Sequence, residues 1–121
     1  MFEAKTDPSQ NLLTFAFSGK VIRSETTHWK NELPGQLATL KSGFKLLSDF
    51  SRVESFDVAC APDVEVVMDL LNEAGLVKVV RIISHPRQDI GLSIMSLFHY
   101  RRHIPIVTCE TLEEALRALA D

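Results

Sequence analysis

The chain has 121 residues, of which 45% are hydrophobic and 24% are charged, a mixture typical of a globular protein with one domain spanning residues 1–121. Thirteen basic and 16 acidic residues give a net charge of −3, so the chain lacks the basic character of a nucleic-acid-binding domain. The longest nearly apolar stretch, residues 89–98, is too short to span a bilayer, and residues 1–3 do not resemble the start of a signal peptide. We therefore expect a cytoplasmic protein that contacts neither nucleic acid nor a membrane.

The first twenty residues predict a β-hairpin. Residues 2–6 alternate apolar and charged side chains, as a half-buried strand does, and residues 7–11 are rich in turn-forming types. A second strand then ends at Gly19, and one of its faces is lined by Leu13, Phe15 and Phe17.

A helix and a buried strand should follow the hairpin. Ser24 is suited to cap the helix, and Pro34 lies within its apolar stripe, which predicts a kink or a break near Leu33. The stripe consists of Trp29, Leu33, Leu37 and Leu40. The strand is predicted at residues 44–50.

Helices and strands alternate through the rest of the chain. Gly75 suits the left-handed residue that ends a helix, and a capping box beginning at Thr111 opens the last helix. The segments before Thr111 are a helix at 62–74, a strand at 77–83, a helix at 89–102 and a strand at 104–108. The buried face of the last helix is predicted to comprise Leu112, Ala115, Leu116 and Leu119. This order predicts an α/β fold with a mixed sheet of about five strands, in which right-handed crossovers make the later strands parallel.

The chain lacks the sequence motifs of common catalytic sites. It contains neither a glycine-rich phosphate loop nor a nucleophile elbow. His99 and His103 have the spacing of a helical metal pair, but two arginines and no carboxylate stand between them, so we interpret them as part of a basic helix end. We expect no metal, no cofactor and no catalytic residue.

Cys60 is the one candidate nucleophile. At a helix start the positive pole of the helix would favour its thiolate, yet its neighbours Ala59 and Ala61 are typical of an inert buried thiol, which is the interpretation we favour. An enzyme that pairs Cys60 with a histidine stays an alternative.

The predicted helix at 89–102 is more apolar than one buried face requires. Leu92 and Met95 lie beside its core stripe. Either the helix is deeply buried or this patch mediates self-association, so a homodimer is a second expectation.

Two segments resemble the STAS domain, the fold of bacterial anti-sigma factor antagonists, and especially its SpoIIAA-like relatives. Residues 46–53, followed by residues 55–57, are similar to the third strand of that family and its exit. Residues 106–116 are similar to its final strand and capped helix. The resemblance covers the whole chain and implies a SpoIIAA-like sheet with packed helices.

The resemblance also implies a functional loop after the third strand. In the antagonists an Asp-Ser-Ser-Gly-type segment lies there, and one of its serines is phosphorylated by the partner kinase. Asp57 matches the aspartate, but Val58, Ala59 and Cys60 replace the residues that follow it, so no hydroxyl is available at the usual position. Ser55 supplies the hydroxyl nearest to this segment.

We therefore expect a non-enzymatic regulatory module that binds a protein, such as a regulatory kinase or an anti-sigma-like protein. Its partner-binding residues are predicted to be Ser55, Asp57, Val58, Ala59 and Cys60. The alternative is a carrier of a small apolar, lipid-like ligand, because SpoIIAA-like proteins resemble lipid-transfer domains in part.

Overall fold

The computed structural model describes residues 1–83 and 103–121, which form one five-stranded sheet with helices on both faces. The elements are β1 (Phe2–Asp7), β2 (Leu12–Val21), α1 (Arg23–Leu37), β3 (Lys45–Phe56), a 3₁₀ turn (Val58–Cys60), α2 (Ala61–Ala74), β4 (Lys78–Ile82), β5 (Ile106–Cys109) and α3 (Leu112–Ala120). The strand order is β1-β2-β3-β4-β5, with β1 antiparallel to β2 and every other pair parallel. The predicted mixed sheet and its parallel strands are confirmed.

The hairpin of β1 and β2 is confirmed, with a longer second strand than predicted. Asp7 Oδ1 closes its turn by accepting from the Ser9 backbone N–H at 3.1 Å and from Ser9 Oγ at 2.6 Å. Gly19 does not end β2, which continues to Val21. Instead, Gly19 has a φ of +62° at a point where the register with β3 shifts, a conformation that glycine tolerates best.

The predicted cap of α1 is wrong, and the predicted break near Leu33 does not occur. The residue that caps the helix is Ile22, whose backbone N–H donates to the Glu25 carboxylate at 3.4 Å, so Ser24 lies inside the helix. The helix also passes through Pro34 without a break and ends at Leu37. Because Pro34 lies in the last turn, little of the helix depends on the hydrogen bond that it cannot donate.

β3 is the longest strand and extends well beyond its predicted end at residue 50. It pairs with β2 as far as the Val21–Phe56 pair, through two register shifts that add extra residues to β3. At the first shift, Asp49 Oδ1 accepts from the Ser51 backbone N–H at 2.9 Å. Residues 51–56 are therefore strand rather than the expected exit loop.

The alternating second half agrees with prediction where it is described. α2 ends at Gly75 with a φ of +100°, as expected, and β4 and β5 both run parallel to β3. The predicted helix at 89–102, with Leu92 and Met95, lies outside the described residues.

The capped start of α3 is confirmed, but half of its predicted buried face is not buried. Thr111 Oγ1 accepts from the Glu114 backbone N–H at 3.2 Å. Ala115 is fully buried, whereas Leu112 and Leu116 are each 55% exposed. The helix packs on the sheet through Ala115, Ala118 and Leu119, and the two exposed leucines lie outside this contact.

Within residues 1–83 and 103–121, the buried core on one face of the sheet is larger than the core on the other face. α1 and α2 cover the front face, whose core contains the aromatic cluster around Trp29, and α3 covers part of the back face. Within the described parts of the chain, no helix has both the length and the apolar character needed to cross a membrane.

Candidate functional site

The candidate site is the short turn between β3 and α2. The Asp57 backbone N–H donates to the carbonyl of Val21 at 2.9 Å, which ties the end of β3 to the end of β2. The Asp57 carboxylate accepts from the Ala59 backbone N–H at 2.9 Å, and the Cys60 backbone N–H donates to the Asp57 carbonyl at 3.0 Å. Three hydrogen bonds therefore hold the turn in one conformation.

The residues of this turn differ sharply in exposure. Asp57, Val58 and Ala59 are exposed, with Val58 70% accessible, whereas Cys60 is completely buried. Pro62 and Val66 extend the exposed surface along α2, since residues four apart lie on one side of a helix. We call Asp57, Val58, Ala59, Pro62 and Val66 the α2 cap surface.

Apolar and acidic side chains meet at the α2 cap surface. Ile22, 48% exposed, directly follows the residue that binds Asp57 and thus adds an apolar side chain next to the turn. Glu65 and Asp69 are exposed on α2 and add negative charge. The surface therefore combines exposed apolar side chains with negative charge.

Cys60 is a buried structural thiol, as predicted. Its Sγ donates to the Val21 carbonyl at 3.8 Å. Burial raises the pKa of the thiol, and the carboxylates of Asp57, Asp63 and Glu25 raise it further against the opposing effect of a hydrogen bond with Thr26. A thiol of raised pKa with no exposed surface is a poor nucleophile, which argues against an enzyme based on Cys60.

A buried carboxylate, which the sequence analysis missed, links α2 to α1 beneath the turn. Asp63 is 2% exposed. Its Oδ2 accepts from the hydroxyls of Thr26 at 3.1 Å and Thr27 at 2.8 Å, and its Oδ1 lies 2.9 Å from Lys30 Nζ. We call these four residues the α1–α2 clasp.

The clasp keeps Asp63 ionised. Burial acts to raise the pKa of Asp63, but the hydrogen bonds from Lys30, Thr27 and Thr26, together with the charge of Lys30, outweigh it and hold the pKa below its ordinary value of 3.8. The position of Asp63 in the first turn of α2 also favours a negative charge. The clasp therefore anchors the start of α2 and, with it, the α2 cap surface.

The structure separates Ser55 from the other predicted site residues. Ser55 lies within β3, paired with Lys20 of β2, and is half-buried rather than in a loop. Because side chains alternate along a strand, it faces the side of the sheet opposite to Phe56. Of the five predicted residues, Asp57, Val58 and Ala59 form a shared exposed surface, whereas Cys60 lies beneath it.

Potential metal ligands do not cluster in the parts of the chain that the structure describes. No group of three or more histidine, cysteine, aspartate or glutamate residues there is arranged to hold an ion. His103 is exposed, and His99, with which it was paired by spacing, lies outside the described residues.

A cleft of about 240 Å³ lies at the opposite end of the sheet, between the hairpin turn and α3. Lys45 Nζ, at its wall, donates to the carbonyl of Leu119 at 2.5 Å. The lining residues are Gln10, Asn11, Leu12, Gly43, Lys45, Leu116, Leu119 and Ala120. This cleft is a candidate position for the ligand of the predicted small-ligand alternative.

Comparisons with known proteins identify the fold. No protein-family model matches the chain, and no curated protein matches it in sequence. An uncharacterized protein of the DUF3478 family with a SpoIIAA-like fold, from Shewanella loihica PV-4, matches with a TM-score of 0.72 and 18% identity over 98% of this chain and 93% of that one. The chain has the SpoIIAA-like fold.

Two further structures support the same assignment. The anti-sigma factor antagonist SpoIIAA in its unphosphorylated form matches with a TM-score of 0.66 and 13% identity, over 99% of this chain and 98% of that one. A serine-to-glutamate variant of RsbS from Moorella thermoacetica matches with a TM-score of 0.63 and 17% identity, over 98% and 93% of the two chains. The SpoIIAA-like fold expected from the STAS resemblance is confirmed. At these identities the likeness concerns the fold alone.

Proposed function

We propose that the protein is a non-enzymatic regulatory module that binds a partner protein through the α2 cap surface. The observation that carries this proposal is Val58, an apolar side chain that is 70% exposed on a turn held by two backbone hydrogen bonds and one bond to the Asp57 carboxylate. Exposing an apolar side chain on a preorganised turn favours protein association, because little conformational freedom is lost on binding. The fold neighbour SpoIIAA is named an anti-sigma factor antagonist, which agrees with a regulatory role.

The chemistry of the α2 cap surface indicates what kind of partner it fits. Val58, Pro62 and Val66 offer an apolar centre, and the nearby carboxylates of Asp57, Glu65 and Asp69 surround it with negative charge. A complementary partner presents an apolar pocket with a basic rim. A regulatory kinase or an anti-sigma-like protein is the partner class that the STAS resemblance implies. The cytoplasmic location expected from the sequence belongs to the same proposal, and cell fractionation tests it.

Binding at the α2 cap surface is proposed to be independent of phosphorylation at the turn. Val58, Ala59 and Cys60 carry no hydroxyl, and Ser55 lies half-buried in β3 on the opposite side of the sheet from Phe56. A phosphoryl group, which would add charge next to the apolar centre, therefore has no acceptor within the turn. We expect phosphatase treatment to leave partner binding unchanged.

A matched pair of variants tests the proposed surface. Val58→Asp places a charge at the centre of the α2 cap surface, whereas Val77→Asp makes the same change at a 44% exposed position in the loop before β4. With tagged protein in native lysate, a partner recovered by the wild type and by Val77→Asp should bind Val58→Asp at least about tenfold more weakly. Both variants should keep the wild-type melting temperature, because both side chains are exposed. Recovery of no specific protein, or equal recovery by both variants, would contradict the proposal.

The cleft beside α3 is the observation in favour of the second candidate, a carrier of a small apolar ligand. Its volume of about 240 Å³ lies below the roughly 300–1,000 Å³ of typical small-molecule pockets, so protein binding is the better-supported function. Native mass spectrometry of gently purified protein separates the two. A bound apolar molecule that Leu116→Asp eliminates would support the carrier.

A further inference from the structure

The outer edge of β1 is an open edge of the sheet. β1 stands at the end of the strand order, and β2 is its only strand neighbour in residues 1–83 and 103–121. A groove of about 200 Å³ runs between this edge and α1, lined by Phe2, Ala4, His28, Trp29, Glu32 and Gln36. An open edge presents backbone groups that can pair with another strand.

The hydrogen-bond pattern of the hairpin shows which residues of β1 have outward backbone groups. The Ser18 N–H donates to the Met1 carbonyl at 2.8 Å, and the Met1 nitrogen donates to the Ser18 carbonyl in return. Bonded and non-bonded pairs alternate in an antiparallel ladder, so Glu3 and Lys5 also bond to β2. The N–H and C=O groups of Phe2, Ala4 and Thr6 therefore point away from β2, toward the open edge.

The charges of β1 distinguish among the ways in which two copies of this edge can pair. If the two-fold axis passes through Glu3, each Glu3 faces the other, and if it passes through Lys5, two lysines meet. If it passes through Ala4, Glu3 of each copy faces Lys5 of the other, while Phe2 and Thr6 supply the flanking backbone bonds. Glu3 and Lys5 then form the non-hydrogen-bonded pairs, in which side chains approach most closely. Within one chain Lys5 Nζ lies 3.6 Å from Glu3 Oε1, and both side chains are more than 60% exposed, so this exposed pair can be exchanged for the same pairing between two copies.

We propose that two copies of this chain associate through their β1 edges, antiparallel and centred on Ala4, so that one sheet continues across the dimer. The proposed interface does not include the α2 cap surface. The residues of that surface follow β3, which is the neighbour of β2 on the side away from β1. The proposed interface is formed by β1, whereas the self-association expected from the sequence involves Leu92 and Met95. The two-fold symmetry makes each charge pair occur twice, which amplifies the effect of any substitution.

A charge-swap series tests the register. Lys5→Glu places two like-charged pairs in the interface, and Glu3→Lys does the same with the opposite sign. Each single variant should raise the dimer dissociation constant, measured by analytical ultracentrifugation, at least about tenfold. The double variant Glu3→Lys/Lys5→Glu should restore the wild-type value. Lys41→Glu, at an exposed position after α1, is the control for the change in net charge and should leave the constant unchanged.

Ala4→Pro tests the backbone pairing independently of charge. It removes an N–H that points away from β2, so the monomer should keep its circular dichroism spectrum and melting behaviour at low concentration. The variant should sediment as a monomer at every concentration. In the wild type, the amides of Ala4 and Thr6 should exchange more slowly with deuterium as protein concentration rises.

Three results would overturn the proposal. The first is a wild-type protein that stays monomeric at the highest attainable concentration. The second is a dimer that tolerates Ala4→Pro, because its interface would then lie elsewhere. The third is a double variant as weakly associated as the single ones, since the pairing of Glu3 with Lys5 would then be wrong.

Discussion

At the scale of single residues, the position of Asp63 in a helix was predictable from the local sequence, but its burial was not. Its position just after Pro62 is typical of an acidic residue in the first turn of a helix. Its burial is not predictable, because it depends on the hydroxyls of Thr26 and Thr27, 37 and 36 residues away in the chain. The turn at Asp57, Val58 and Ala59 was expected from the STAS resemblance, and it is held by two local bonds and by the bond between Asp57 and the distant Val21.

We expect Asp63→Asn to destabilise the protein by about 2 kcal/mol. The amide keeps the size of the carboxylate but loses the charge that pairs with Lys30, and it weakens the bonds from the two threonines. Urea unfolding at pH 7 measures the change. Asp69→Asn, at an exposed position on the same helix, is the matched control and should change stability by less than about 0.5 kcal/mol. Equal effects of the two variants would show that the clasp does not stabilise the fold.

The contribution of Asp63 should also depend on pH with a definite sign. Its pKa in the folded protein lies below the ordinary value of 3.8, so the folded state favours the ionised form. The resulting stability is fully present above the unfolded pKa and is lost as pH falls through the folded pKa. The difference in unfolding free energy between wild type and Asp63→Asn should therefore be constant from pH 7 to about pH 5 and shrink below about pH 4. A difference that persists unchanged to pH 2 would assign the loss to packing instead of charge.

At the scale of elements, the types were predictable and several ends were not. The end of β3 was placed at residue 50 because the apolar run stops there, yet pairing with β2 carries the strand to Phe56. Likewise, Pro34 predicted a kink or a break near Leu33, but the helix continues to Leu37, and Trp29 and Leu33, both buried in the front core, keep α1 packed on the sheet. In both cases a neighbouring element decides where the structure ends.

Pro34 should therefore lower the stability of the protein without ending α1. Pro34→Ala supplies the missing N–H and removes the ring from the helix interior, and the site is exposed, so we expect stability to rise by about 1–2 kcal/mol. Gly35→Ala, next to it in open space, is the comparison and should gain no more than about 1 kcal/mol, from helix propensity alone. Thermal and urea unfolding measure both. A loss of stability in Pro34→Ala would mean that the proline conformation is required for packing.

At the scale of the whole molecule, the mixed sheet was predictable because its βα alternation allows few topologies. The sequence was less informative about how the helices pack on the two faces of the sheet. The four residues of the predicted apolar face of the last helix were expected to be buried, but Leu112 and Leu116 are exposed. An apolar stripe predicts that a helix packs on another element. How many residues of the stripe are buried depends on the shape of the surface that the helix packs against. In the part of the chain that the structure describes, the core on the back face has five buried residues, of which Ala115 is the one from this helix.

This asymmetry predicts that α3 opens before the rest of the protein unfolds. Among the described residues, five form the buried core on the back face and 19 form the core on the front face. A nine-residue helix is too short to persist without packing, so losing the few contacts of Ala115 should release it. Native-state hydrogen exchange should show the amides of residues 116–120 at least about tenfold less protected than those of the centre of β3.

A substitution at the N-cap of α3 tests whether this helix opens independently of the rest of the protein. Thr111→Ala removes the hydroxyl that accepts from the Glu114 N–H, at a cost of about 1 kcal/mol. If α3 opens on its own, exchange of its amides should accelerate about fivefold, whereas protection at Leu46 and Phe50 is set by a separate, global opening. The dependence of exchange on urea should be shallow for α3 and steep for β3, since the two openings expose different areas. Amides of α3 and β3 that share one free energy and one urea slope would show instead that the small core unfolds together with the large one.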